Sequence, residues 1–220
     1  MCRELGRSKS LARNVELYLY KTMSHYLFMP TSIEFLIWYL RDGLDEVKSP
    51  SDFNEIDERS TMYLDLIEKH TALDFHILDV GCNCGRHLSA LFKRGYRKFT
   101  GVDISKNALA LMGDWFPDII PFATINHASF EEFFTSQDDF SYDCTITYGA
   151  TIENVNPVFD IVGHMCRVSK KNVIVNINID GHGFPRFWIK EFERNGFMLV
   201  ERTQCMGKGV AIPTLVFKRG

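Results

Sequence analysis

The chain has 220 residues, 45% of them apolar and 24% charged, with a formal net charge of −3. That length fits one α/β domain with a helical extension, long enough to bury a sizeable core. The composition excludes a disordered chain, the charge argues against a general attraction to nucleic acid, and no apolar run approaches the ~20 residues that span a bilayer.

The N-terminus, "MCRELGRSKSLARNVELYLY", has basic residues but no apolar signal core and no small-residue cleavage site. A cytoplasmic protein is expected. The six cysteines include one close pair, Cys82 and Cys84, and no second pair with zinc-ligand spacing, so no metal is expected. Residues 11–45 carry Leu11, Val15, Leu19, Ile33, Leu36, Ile37 and Leu40 at helical spacing. Pro30 divides that stretch into two helices. A loop, "SPSDFNEIDERS", precedes a further helix over 57–70.

From His76 onward strand-like runs alternate with helical ones. "HILDV" leads to a helix over 86–94, "KFTGVDI" to 105–115, "IPFATINH" to 130–136 and "YDCTITYG" to 157–168. "NVIVNINI", a helix over 186–195, "FMLVERTQCM" and "TLVFKR" follow. Alternation of this kind builds βαβ units and a doubly wound, mostly parallel sheet. No helix fits in "GKGVAIP", so the last two strands should form an antiparallel hairpin.

The informative junction is "HILDVGCNCGRHLSAL". A strand carrying Asp79 runs into a turn with Gly81, Asn83 and Gly85, and a helix follows. Glycine reaches backbone angles barred to other residues, and Asn tolerates the left-handed region better than most. The helix offers free N–H groups to a ligand. A dinucleotide fingerprint would need glycines at 81, 83 and 86, but Asn83 and Arg86 stand at the last two. The next strand ends at Asp103, where a carboxylate can accept from both hydroxyls of a ribose.

"ILDVGCNCGRHLSALFKRGYRKFTGVDISKNAL" resembles the first two motifs of the class I S-adenosylmethionine-dependent methyltransferases. "ASFEEFF", "YDCTITYGATIENVNP", "RVSKKNVIVNI" and "FERNGFMLVE" resemble later segments of that family, over roughly residues 73–218. "GATIENVNP" bears a weaker resemblance to small methylases associated with pseudaminic-type sugar biosynthesis, whose upstream Trp and Phe-Gly signature is absent here. The resemblance implies a Rossmann-like, seven-stranded, mostly parallel sheet with an antiparallel C-terminal hairpin strand. It divides the chain into an N-terminal helical lid, residues 1–72, and a cofactor-binding domain, residues 73–220.

The resemblance also implies roles. Asp79, Gly81, Asn83 and Gly85 would hold the methionine and ribose end of S-adenosylmethionine, Asp103 the ribose diol, and Ile104 a face of the adenine. Ser129 and Phe130 stand where many members place an acid and its neighbour against adenine. Tyr148 and Gly149 would lie beside the reactive methyl. Catalytic candidates are Tyr148, Glu153, His182 and Arg186, the last as a bidentate partner for an acidic substrate group. His25, Tyr26 and Tyr18 are candidates for a substrate-covering wall. Plainer readings stand beside these: Cys82 and Cys84 as packing residues, Glu153 as a helix-start carboxylate, Arg186 as a surface ion pair. The expected activity is methyl transfer to a small molecule, a sugar derivative among the candidates, with S-adenosylhomocysteine as the product. Methylation of RNA or protein, or a non-catalytic cofactor-binding module, are the alternatives. The segment "TYGA" replaces the Asn-Pro-Pro-Tyr type of motif and argues against amino-group methylation of adenine or glutamine.

Overall fold

A computed structural model describes residues 54–149, 151–177, 184, 186–207 and 210–220. The expected helices within 11–45 lie outside the described residues. Helix α1 spans Glu58–His70. The Asp57 carboxylate caps it by accepting from the Ser60 N–H at 2.7 Å. Ser60, Tyr63, Leu64 and Ile67 recur at helical spacing and are buried.

Strand β1 is His76–Val80, α2 is Arg86–Lys93, β2 is Lys98–Asp103 and α3 is Lys106–Trp115. A 3₁₀ segment, Pro117–Phe122, then leads into β3, Ala123–His127, and α4, Phe130–Thr135. β4 is Tyr142–Tyr148, α5 is Ile161–Val168, β5 is Ser169–Asn176, α6 is Trp188–Arg194, β6 is Phe197–Gly207 and β7 is Val210–Arg219.

These strands form one seven-stranded sheet in the order β3-β2-β1-β4-β5-β7-β6. The pairs among β1 to β5 are parallel, and β7 runs antiparallel to both β5 and β6. The expected doubly wound sheet with a terminal hairpin is therefore present. β7 inserts beside β5 and leaves β6 at the edge.

Two boundaries move for local reasons, and one strand carries an extra residue. "IPF" belongs to the 3₁₀ turn, because Pro121 has no N–H to give a sheet ladder. The helix expected from 157 starts at Ile161, where the Asp160 carboxylate accepts from the Gly163 N–H at 2.9 Å. Asn156 turns the chain just before, accepting from the Val158 N–H at 3.0 Å. In β6, Val200 is the extra residue of a bulge between Leu199 and Glu201.

Strand alternation sends neighbours to opposite faces. Ile77, Phe99, Ile146, Ile174 and Val216 pack with α1 and α2 on one side. Leu78, Val102, Val173, Val175 and Phe217 pack with α4, α5 and α6 on the other. Both faces are covered, which explains the nearly unbroken apolar strands. α1, placed by sequence in the N-terminal extension, contributes Tyr63, Leu64 and Ile67 to this core. No helix among the described residues is long and apolar enough to cross a membrane.

Candidate functional site

β1 lies between β2 and β4, so the chain order reverses around its carboxyl end. Open α/β sheets bind ligands in that crevice. The turn after β1 is built there. Gly81 has φ 77°, Asn83 φ 50° and Gly85 φ 79°. The Gly81 and Cys82 N–H groups donate to the Val102 carbonyl, which ties the turn to β2. Asn83 holds its left-handed angle with its own side chain, whose oxygen accepts from the Cys84 N–H at 2.7 Å.

The turn has no room for side chains at its glycines. A Cβ on Gly81 would collide with the Thr151 methyl, and one on Gly85 would lie 2.8 Å from Met112. Cys82 packs against Gly101, where a Cβ would lie 2.8 Å from its Sγ. The thiols of Cys82, Cys84, Cys144 and Cys166 form no disulfide among the described residues and are buried, and burial pushes each pKa up. Cys82 and Cys144 pack in one apolar cluster and Cys166 in the other. No metal-holding group of His, Cys, Asp and Glu occurs among the described residues.

Asp103 accepts from the Asn83 N–H through one carboxylate oxygen and from the Ser105 N–H through the other, both at 2.8 Å. The carboxylate is thereby fixed at the rim of the turn. Asp79 lies deeper, 2% exposed, and its Oδ2 has no hydrogen-bond partner among the described residues. Burial and the nearby Asp103 charge push its pKa up to about 7, with Arg86 opposing.

Tyr148, at the carboxyl end of β4, is the focus of the other wall. Its hydroxyl accepts from Arg59 Nε at 2.6 Å and from Ser60 Oγ at 3.1 Å. The guanidinium carbons of Arg59 and Arg86 lie 4.8 and 5.3 Å from its ring centre. The His87 ring is 4.4 Å away and Tyr63 5.0 Å. His87 is buried, its Nε2 lacks a partner among the described residues, and burial lowers its pKa to about 3, so the imidazole is neutral.

The structure thus brings Asp79, Gly81, Asn83, Gly85, Asp103, Tyr148 and Gly149 to one edge. Gly149 follows β4 with φ 76°, and its N–H donates to the Asn176 carbonyl at 3.0 Å. Ile104 is half-buried beside Asp103, and its carbonyl meets His127 Nε2 at 3.0 Å. The Ser129 hydroxyl is held in a capping box with Glu132 at the start of α4, and Phe130 packs on the adjoining apolar cluster.

Glu153 sits in a 3₁₀ turn, Ile152–Asn154, and is 1% exposed. The Arg186 side chain is 6% exposed, donates to the Val155 carbonyl at 2.9 Å and pairs with Glu191 at 3.3 Å. The guanidinium serves loop packing in this arrangement, rather than a surface ion pair. His182, His25, Tyr26 and Tyr18 lie outside the described residues. Sequence reasoning missed Arg59, Ser60, His87 and Thr151, whose places depend on contacts from distant parts of the chain.

Residues 77–172 match a family model described as a methyltransferase domain. Among solved structures, the chain is similar to a magnesium protoporphyrin IX methyltransferase from Synechocystis PCC 6803 with bound S-adenosylmethionine. That pair has a TM-score of 0.60 at 15% identity, covering 91% of this chain and 97% of that one. It is also similar to a putative S-adenosylmethionine-dependent methyltransferase from Listeria monocytogenes, with a TM-score of 0.56 at 12% identity over 73% and 99% of the two chains. A [4+2]-cyclase, SpnF, shares the fold with a TM-score of 0.58 at 13% identity over 73% and 81%. At these identities the likeness shows the fold alone. A search of curated protein sequences found no match.

Proposed function

We propose that the chain transfers a methyl group from S-adenosylmethionine to a small-molecule acceptor. The carrying observation is the Asp79 oxygen, unpartnered among the described residues, beside a turn whose glycines cannot carry side chains, with Asp103 fixed at the next strand end. A buried acceptor without a donor suits a ligand that brings an ammonium or other cationic group. These residues fit the cofactor: Gly81, Asn83 and Gly85 would let it approach the backbone, and Asp103 would take the ribose diol. The bound cofactor supplies an activated methyl group; the protein supplies orientation and electrostatics. Tyr148 and Gly149 line the acceptor side, with Glu153 behind them. The net charge of −3 supports a small acceptor over a nucleic acid.

Calorimetric titration with S-adenosylmethionine, S-adenosylhomocysteine and NAD tests the cofactor half. Binding of the first two and not NAD is expected; binding of NAD alone would overturn the reading. Methyl transfer is then read with labelled cofactor on pools of small acceptors, a step that matters because a cyclase shares this fold. Asp103→Ala should weaken cofactor binding by about 1.5–3 kcal/mol, at least a tenfold rise in Kd. Unchanged affinity in a folded variant would remove Asp103 from the ribose site.

A further inference from the structure

Arg59 and Tyr148 together hold donors that lack acceptors among the described residues. Arg59 spends Nε on the Tyr148 hydroxyl at 2.6 Å. Among the described residues, no hydrogen bond or ion pair takes its two terminal nitrogens. The Tyr148 oxygen accepts twice, from Arg59 and from Ser60, which fills its lone pairs. Only its O–H remains, and it has no acceptor among the described residues. Tyr148 in this setting is a donor and not a base.

A half-buried guanidinium fork and a 9%-exposed phenol, bonded to each other and with donors unmet among the described residues, have the chemistry that holds an oxyanion. Arg86 adds a second positive charge against the same ring. The local counter-charge is Asp57, which spends one oxygen on the Ser60 N–H. Burial pushes the Asp57 carboxyl up, but the Ser60 hydrogen bonds and the Arg59 and Arg86 charges outweigh this and leave it below its ordinary value.

We propose that Arg59 and the Tyr148 hydroxyl form a clamp for a carboxylate at the carboxyl edge of β4. Two sources fit that chemistry: the amino-acid end of the cofactor, or an acidic group on the acceptor. The proposal rests on the reading of the crevice as a methyl-transfer site, and its test separates the two.

Wild-type protein, Arg59→Gln, Arg59→Lys and Tyr148→Phe are titrated with S-adenosylhomocysteine and with 5′-methylthioadenosine, which lacks the amino-acid chain. Thermal melts with succinate, at matched ionic strength and with and without S-adenosylhomocysteine, form the second arm. A tenfold or greater loss of S-adenosylhomocysteine affinity in Arg59→Gln, with methylthioadenosine unaffected, assigns the clamp to the cofactor. Unchanged cofactor affinity, with succinate stabilising wild type and not Arg59→Gln, assigns it to the acceptor. Arg59→Lys keeps the charge and loses the fork, so it should recover only part of either effect. Tyr148→Phe keeps the ring and loses the proton, and guards against misfolding of the arginine variants. Equal weakening of both nucleosides, or no difference in either arm, would overturn the clamp. Failure of wild type to bind either nucleoside is instead a failure of the cofactor reading, and the succinate arm on unliganded protein still decides the clamp.

Discussion

Asp79→Asn is expected to stabilise the unliganded protein above neutral pH while abolishing most of its cofactor affinity. Burial and Asp103 hold the Asp79 pKa at about 7 in the fold, against an ordinary value of 3.8. The folded chain therefore binds a proton that the unfolded chain has released between those values. Stability is full below about pH 4, falls as pH rises toward 7, and is flat above. At about 1.4 kcal/mol per pH unit the total is on the order of 4 kcal/mol, a large fraction of a typical domain's stability. Asparagine keeps the shape and cannot ionise. Thermal melts of the two proteins should coincide near pH 4 and separate by pH 8, with Asp79→Asn melting higher. A lower melting point for the variant at pH 8 would mean that the carboxylate is satisfied in the fold. Binding should move the other way, because an ammonium-bearing ligand favours the ionised carboxylate. Wild-type affinity for S-adenosylhomocysteine should rise between pH 5 and 8, and Asp79→Asn should lose both the affinity and the slope.

Gly81→Ala is the second large effect. The backbone there has φ 77°, which costs an L side chain about 1–2 kcal/mol. The new methyl also meets the Thr151 methyl, and overpacking of this kind typically costs about 1–3 kcal/mol more. Thr151 is held by its hydroxyl, which donates to the Tyr148 carbonyl at 3.1 Å, so it cannot simply swing away. Denaturant unfolding should show a loss of about 2–5 kcal/mol, and the cofactor turn should open with it. The double variant Gly81→Ala/Thr151→Ser removes the colliding methyl and leaves the φ strain. It should regain the packing part alone. Full recovery would place the whole cost in the collision, and no recovery would place it in the backbone.

The turn from Asp79 to Gly85 was legible because its chemistry is local: a strand, two glycines with Asn83 between, and a helix start, all within a dozen residues. Asp103 was legible for the same reason, one strand later. The latch between Arg59 and Tyr148 joins residues 89 apart in sequence and leaves no local pattern at either end. Thr151 against Gly81 is likewise a contact between segments that only the sheet brings together. Arg186 was read as a partner for an acidic substrate group or a surface ion pair, and the contacts its guanidinium makes with the Val155 carbonyl and Glu191 were not visible in the local sequence. "IPFATINH" looked like one strand by apolar content, and the missing N–H of Pro121 decided otherwise. The hairpin was anticipated from the short link between its strands. Which of them would touch β5 was not, since both are apolar enough to do so.

That choice has a bearing on how the sheet is completed. β6 is made before β7, yet among the described strands its only neighbour is β7. As the chain emerges in order, β6 finds no partner in the parallel sheet, and β5 keeps an open edge. Both stay unpaired until β7 slots between them and satisfies two rows of backbone groups at once. β7 is thus a keystone rather than a trim. Until it is made the chain exposes two sticky edges, which places a period of high aggregation risk between the synthesis of β5 and that of β7.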